Sequence, residues 1–179
     1  ILDKSKGVNI AGNSLTGAKK HGINLTSSSA SISANTISGN KENGIFCYKN
    51  STMTTNKNRI TGNKKHGIFV NECKGKSKIN GDTIKSNKQC GIAVQKGNNV
   101  TINSAKISKS GKNGIYIFKK SKVTINKCTV SSNKKDGIYS TLSSTTNIKK
   151  GTVSKNSGNG IYYTNKAKGS INGVKIQKN

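Results

Sequence analysis

The chain has 179 residues, enough for one domain, with a net charge of +27, 30% hydrophobic residues and 4% aromatic residues. A compact globule of this length buries more apolar surface than such a composition supplies, and the charge alone would favour disorder. No apolar run approaches 18 residues and there is no Pro or Trp, which excludes a membrane-spanning helix and leaves Ile, Val, Thr, Ser, Asn and Gly, the residues of strands and tight turns.

A repeat overrides the disorder expectation. Gly-Ile occurs at Gly22, Gly44, Gly67, Gly91, Gly114, Gly137 and Gly160, with spacings of 22, 23, 24, 23, 23 and 23 residues. A constant period in this range marks a solenoid, whose narrow interior needs few apolar side chains per turn. About 23 residues leave no room for a helical pair.

Within each unit three apolar columns follow one another. The first is Ile10, Ile32, Thr55, Ile79, Ile102, Ile125, Ile148 and Ile171. The second lies five residues later, at Leu15, Ile37, Ile60, Ile84, Ile107, Val130, Val153 and Ile176. The third is the Ile of each Gly-Ile pair, and alternation sends a second residue inward two places on, at Leu25, Cys47, Val70, Val94, Ile117, Ser140 and Tyr163. Three anchors predict three short strands per coil around one axis.

An Asn column at Asn40, Asn63, Asn87, Asn133, Asn156 and Asn179, broken by Ala18 and Ser110, is expected to hydrogen-bond from coil to coil at about 4.8 Å. His21, Asn43, His66, Cys90, Asn113, Asp136 and Asn159 precede the glycines. They read as residues of a positive-φ corner that the glycine relieves.

The phrase Asn35 to Ile45 (Asn-Thr-Ile-Ser-Gly-Asn-Lys-Glu-Asn-Gly-Ile), repeated with variations along the whole chain, resembles the right-handed parallel β-helix repeat of the pectin-lyase-like superfamily, which includes carbohydrate-binding proteins and sugar hydrolases. The resemblance implies an all-β, right-handed, single-stranded parallel β-helix of about seven and a half coils, one domain over 1–179. It leaves activity open, because the fold carries lyases, hydrolases, epimerases and adhesins. Ile1 falls 22 residues before Ile23, in the third column, and no polar cap is visible at either end. The expectation is a segment of a longer polypeptide, a rod on the order of 35 Å long at one strand spacing per coil.

Members of this superfamily that act on sugars use acidic clusters. Only Asp3, Glu42, Glu72, Asp82 and Asp136 are acidic here, in different columns, and they read as surface or turn residues. Glu42 and Asp136 are four coils apart, about 19 Å, whereas a catalytic carboxylate pair needs about 5 to 9.5 Å. Arg59, the one arginine, points outward with no acidic partner. His66 and Cys90 share a column, but a metal needs two further ligands. No catalytic residue, metal or cofactor is therefore assigned. Cys47 is expected as a buried free thiol, and a Cys73–Cys90 disulfide stays open.

The surface carries the functional expectation. The residue after each Gly-Ile is Asn24, Phe46, Phe69, Ala93, Tyr116, Tyr139 or Tyr162, an outward aromatic stripe. Lys41, Lys64, Lys65, Lys88, Lys112, Lys134 and Lys135 border it before the glycine, and Lys49, Lys74, Lys96, Lys119 and Lys120 follow the third strand. The leading reading is a non-enzymatic scaffold or adhesion module, extracellular or at a bacterial cell surface, that binds anionic polysaccharide or cell-wall polymer along this track and other polyanions non-specifically. The alternatives are a polysaccharide lyase or glycoside hydrolase with its catalytic residues elsewhere, and a pure spacer, for which stacked aromatics only stabilise the sheet.

Overall fold

A computed structural model describes residues 1–73 and 75–179; Lys74, expected in the second lysine border, lies outside the described residues. Each coil contributes three short strands, such as Ser29–Ser33, Thr36–Ser38 and Ile45–Tyr48. All pair in parallel with their counterparts one coil away. Ile32 sits between Ile10 and Thr55, Ile37 between Leu15 and Ile60, and Ile45 between Ile23 and Ile68.

The Gly-Ile strands form one eight-stranded sheet. The other two sets join into a fourteen-stranded sheet, because Lys122–Ser131 and Thr145–Ser154 run through the corner between them. Along each strand inward residues alternate with outward ones, so Ile32, Ile37, Ile45, Ile60, Ile68 and their equivalents in the inner coils are buried on the axis, while Ile171 and Ile176 of the last coil are exposed. Each contributes roughly 1.5–3 kcal/mol of burial, enough for a narrow core when repeated in every coil. No helix among the described residues is long and apolar enough to cross a membrane.

The first coil departs from the expected register. Leu2 pairs with Leu25 and Asp3 with Thr26, so Ile1 lies one residue out of the third column and is 96% exposed. The offset is 23 residues from Leu2 to Leu25, whereas it is 22 from Ile10 to Ile32 and from Leu15 to Ile37.

The corners of the early coils share a pattern. A residue in the left-handed region is followed by a buried polar residue. In one coil these are Ser27, Ala34 and Gly39 (φ 50°, 53° and 64°), and in the next Asn50, Lys57 and Gly62 (φ 51°, 53° and 66°). The followers are Ser28, Asn35 and Asn40, then Ser51, Asn58 and Asn63. Their side chains accept the corner N–H of the coil before: Ser28 N–H to Ser51 Oγ at 3.0 Å, Asn35 N–H to Asn58 Oδ1 at 2.9 Å, and Asn40 N–H to Asn63 Oδ1 at 3.1 Å. The Asn40 column thus forms the expected ladder, with Nδ2 of Asn40 also donating to Asn63 Oδ1 at 2.9 Å.

The glycines of Gly-Ile have a different role from the one expected. Neither they nor the residues before them lie in the left-handed region. Gly67 is glycine because the chain closes in on itself there. A Cβ would lie 2.5 Å from Ile84 Cγ2 and 2.7 Å from the carbonyl oxygen of Gly91. Gly39 has open space around its Cβ position and only its φ to satisfy.

Gly67→Ala is therefore expected to cost about 1–3 kcal/mol or more through overpacking against backbone that cannot retreat. Gly39→Ala, at a position where other coils carry Ser86 and Ser132, should cost about 1 kcal/mol. Ser110 interrupts the Asn ladder and its buried Oγ has no hydrogen-bond partner, so Ser110→Asn should stabilise by about 1 kcal/mol. Urea unfolding midpoints of the three variants check the order.

Candidate functional site

The outward residue of each Gly-Ile strand falls in one line. Phe46 pairs with Asn24 and Phe69, Ala93 with Phe69 and Tyr116, and Tyr139 with Tyr116 and Tyr162. Ring centroids are 5.3 Å apart for Phe46–Phe69, 5.3 Å for Tyr116–Tyr139 and 5.2 Å for Tyr139–Tyr162. Interplanar angles of 22°, 17° and 10° make these stacks. Tyr48 and Phe118, two places further along their strands, stack beside Phe46 and Tyr116 at 5.4 and 4.3 Å. Sequence spacing had not joined these two rings to the stripe.

Stacking changes what the stripe offers. A ring between two stacked neighbours turns its edge to solvent and keeps its faces for the neighbours. Phe46, Phe69, Tyr116 and Tyr139 are half-buried, and only Tyr162, 42% exposed, is open. The expectation of a fully exposed stripe is corrected accordingly. Ala93 is the exception. It is fully buried and supplies no ring, so the strand-to-strand stacking is interrupted between Phe69 and Tyr116, where Phe69 makes a tilted contact with His66 at 5.1 Å and Tyr116 stacks on Phe118 at 4.3 Å. A depression of about 310 Å³ lies there, lined by His66, Phe69, Cys90, Tyr116, Phe118 and Tyr139, with Lys112 and Lys135 at its rim.

The wall toward the lysines is the column that precedes the glycines. It is a further ladder: Asn43 Oδ1 accepts from His66 N–H at 3.0 Å, and His66 Nδ1 accepts from Cys90 N–H at 3.2 Å. Burial, then the ammoniums of Lys112 and Lys65, hold His66 down at about 4, so it is neutral at pH 7 with its proton on Nε2. Burial pushes the Cys90 thiol up to about 11.

Backbone hydrogen bonds place the lysines. Lys64 N–H donates to Asn40 O, Lys88 N–H to Asn63 O and Lys134 N–H to Ser110 O, which continues the row begun by Lys41. Lys65, Lys112 and Lys135 form a second row with Glu42 and Gln89. All seven are exposed. Glu42 accepts from Lys65 Nζ at 3.0 Å and His21 Nε2 at 3.1 Å, which draws its carboxyl below the usual range. On the far side of the stripe Lys49, Lys96, Lys119 and Lys120 are exposed, with Lys49 Nζ 5.4 Å from the Tyr48 ring centroid and Lys96 paired to Glu72.

Asp82 is a turn residue, after the left-handed Gly81, but it does not lie at the surface. It is fully buried in a polar column that sequence spacing had not singled out, Asn13, Asn35, Asn58 and Asp82, each two residues before the second anchor. Asp82 Oδ1 accepts from Asn58 N–H at 2.6 Å, and Oδ2 accepts from the hydroxyl of Thr55, the one polar member of the first anchor column. Burial raises the Asp82 carboxyl above its ordinary value, against the opposing pull of those donors. Arg59 is exposed between Thr36 and Thr83.

A family model described as "Right handed beta helix region" matches residues 1–84 and 68–179. No curated protein matches the chain in sequence. Among solved structures, the periplasmic alginate epimerase AlgG is similar with a TM-score of 0.84 at 14% identity, over 96% of this chain and 47% of that one. The A-module of the mannuronan C-5 epimerase AlgE4 from Azotobacter vinelandii gives 0.83 at 16%, over 97% and 54%. Pectate lyase Pel9A gives 0.72 at 14%, over 84% and 46%. At these identities the likeness is one of fold, and the chain spans about half the length of each.

His66 and Asp82 should move stability in opposite directions with pH. His66 has a depressed folded value, so its contribution is complete above 6.5 and is lost as pH falls toward 4. Asp82 has a raised folded value, so its contribution is complete at low pH and is lost as pH rises through that value. His66→Asn, matching Asn43 and Asn113 in the same column, should flatten the acid loss. Asp82→Asn should remove the opposing term and stabilise near pH 7. Urea midpoints between pH 4 and 7.5 read both.

Proposed function

Because the chain belongs to the right handed β-helix region family, we propose that it serves as a binding rod for anionic polysaccharide, outside the cytoplasm and at or beyond the cell surface. The observation that carries this reading is the gap at Ala93. It is a slot at the break in the aromatic column, lined by Phe69, Tyr116 and Phe118, with Lys112 and Lys135 on its rim and rows of lysine running away from it. A pyranose ring offers a flat C–H face that packs on an aromatic one, and ammoniums one coil apart meet carboxylate or sulfate groups that also repeat. Phe46, Phe69, Tyr116, Tyr139 and Tyr162 then form the track, with Phe69 and Tyr116 holding the sugar. Lys41, Lys64, Lys65, Lys88, Lys112, Lys134 and Lys135 supply attraction that weakens with salt.

Binding without turnover is favoured by the acids. Glu42 and Glu72 are tied to lysines, Asp82 is sealed in the core, and Asp136 Oδ1 accepts from Asn159 N–H at 2.8 Å. A second reading, an enzyme whose catalytic residues lie outside this segment, is favoured by the names of AlgG, AlgE4 and Pel9A, which are epimerases and a lyase about twice as long.

Ala93→Tyr tests the slot without removing a charge, because the added ring completes the stack. It is expected to weaken binding of alginate or polygalacturonate oligosaccharides about tenfold, ~1.4 kcal/mol, with the unfolding midpoint kept. Wild-type binding should fall with salt, and neutral oligosaccharides should not bind. Unchanged affinity in Ala93→Tyr would remove the slot, and no binding at any salt would leave a spacer. Unsaturated product or altered uronate composition would favour the enzyme reading.

A further inference from the structure

We propose that Cys47 and Cys73 form a dithiol that closes to a disulfide between adjacent coils, by exchange with a low-molecular-weight disulfide that enters at Cys73. The proposal is independent of the polysaccharide reading. The two sulfurs lie 3.1 Å apart across consecutive coils. Cys47 occupies the inward column between Leu25 and Val70 and is fully buried. Cys73 follows Glu72, a left-handed corner residue (φ 56°), at the place where other coils put the hydroxyl or amide of Ser28, Ser51, Asn98 or Ser121. A sulfur there has exchanged a ladder group for a partner in the core. Its backbone keeps the ladder, because Cys73 N–H donates to Asn98 Oδ1.

The pair is asymmetric in access. Only Cys73 borders an outer depression, about 410 Å³, with Lys49, Asn50, Glu72 and Lys96 around it. A hydrogen bond joins the two sulfurs, and either can be its donor. That contact, with burial, raises the Cys47 thiol, and it lowers that of Cys73. The thiolate form therefore belongs to the sulfur nearer the surface.

The exchange balances as two displacements. Cys73 thiolate attacks one sulfur of the incoming disulfide, which forms a mixed disulfide and expels one thiol. Cys47 sulfur, having lost its proton, then attacks Cys73 Sγ and expels the second. The two cysteines lose two electrons and two protons, and the incoming disulfide becomes two thiols. Closure from 3.1 Å to a bonded distance near 2.0 Å is a movement of about 1 Å. The other two cysteines stand apart. Cys90 sits at the His66 corner, and Cys128 Sγ faces the carbonyl oxygens of Ile102 and Asn126 at 3.6 and 3.3 Å. The link left open by the sequence, Cys73 to Cys90, is replaced by Cys73 to Cys47.

The test is thiol counting on the full chain. Folded protein is held with dithiothreitol or with oxidised glutathione, quenched in acid, denatured, alkylated and weighed intact. Four alkylated thiols are expected after dithiothreitol. Two are expected after glutathione, with two hydrogens lost, a proteolytic peptide joining Cys47 to Cys73, and a higher urea midpoint. The double variant Cys90→Ser, Cys128→Ser should keep the link and show none alkylated after oxidation. Cys47→Ala should stop at a glutathione adduct on Cys73. Four alkylated thiols after oxidation, a link to Cys90, or a lasting adduct on Cys73 in the wild type would overturn the proposal.

Discussion

A backbone N–H at a corner, accepted by a side-chain oxygen one coil away, is the bond on which this molecule depends. Strands account for their own polar groups through the parallel ladders, but a coil must turn three times, and each turn exposes a donor to a dry interior. An unmet buried donor costs about 1–3 kcal/mol. Asn40 through Asn63 to Asn87, Asn35 through Asn58 to Asp82, and Ser28 to Ser51 meet that cost by pairing each corner with its copy. The period of about 23 residues follows from this: a corner is satisfied only when an equivalent corner lies above it. The polar composition is then no obstacle to folding, because asparagine and serine are part of the interior.

The same stacking shapes the surface. A solenoid that aligns its interior must align its exterior, so one aromatic choice per coil becomes a column and one lysine choice becomes a row. Alignment brings rings close enough to stack, and stacking takes up the faces that a ligand would use. Breaks in the repeat give such a surface its local features. Ala93 breaks the aromatic column and opens a slot, and Cys73 breaks a hydroxyl column and meets a second sulfur.

Much of this was legible in the sequence because few residue types fit each column. Ile32, Ile37 and Ile45 announce three strands, and Asn40, Asn63 and Asn87 a ladder, because the environment repeats and so does the residue. The Asn35 column was harder to read: it changes to Asp82 and then to the apolar Ala105 and Cys128, which fill the corner by packing instead. Gly67 reads as a turn residue because glycine serves both left-handed φ and close approach, and only the distance to Ile84 separates them. Thr55 looks like a lapse in an isoleucine column until Asp82 is seen to take its hydroxyl. Which face a ring turns outward depends on its neighbours in three dimensions, so the stripe was visible and the slot was not.

Amide hydrogen exchange tests the central claim most directly. The corner amides of Ser28, Asn35, Asn40, Asn58 and Asn63 lie between strands, where ordinary loop amides exchange quickly. If coil-to-coil side-chain acceptors hold the rod together, these amides exchange as slowly as those of Ile32, Ile37 and Ile60 within the strands. Exchange at loop rates while the strand amides stay protected would contradict it.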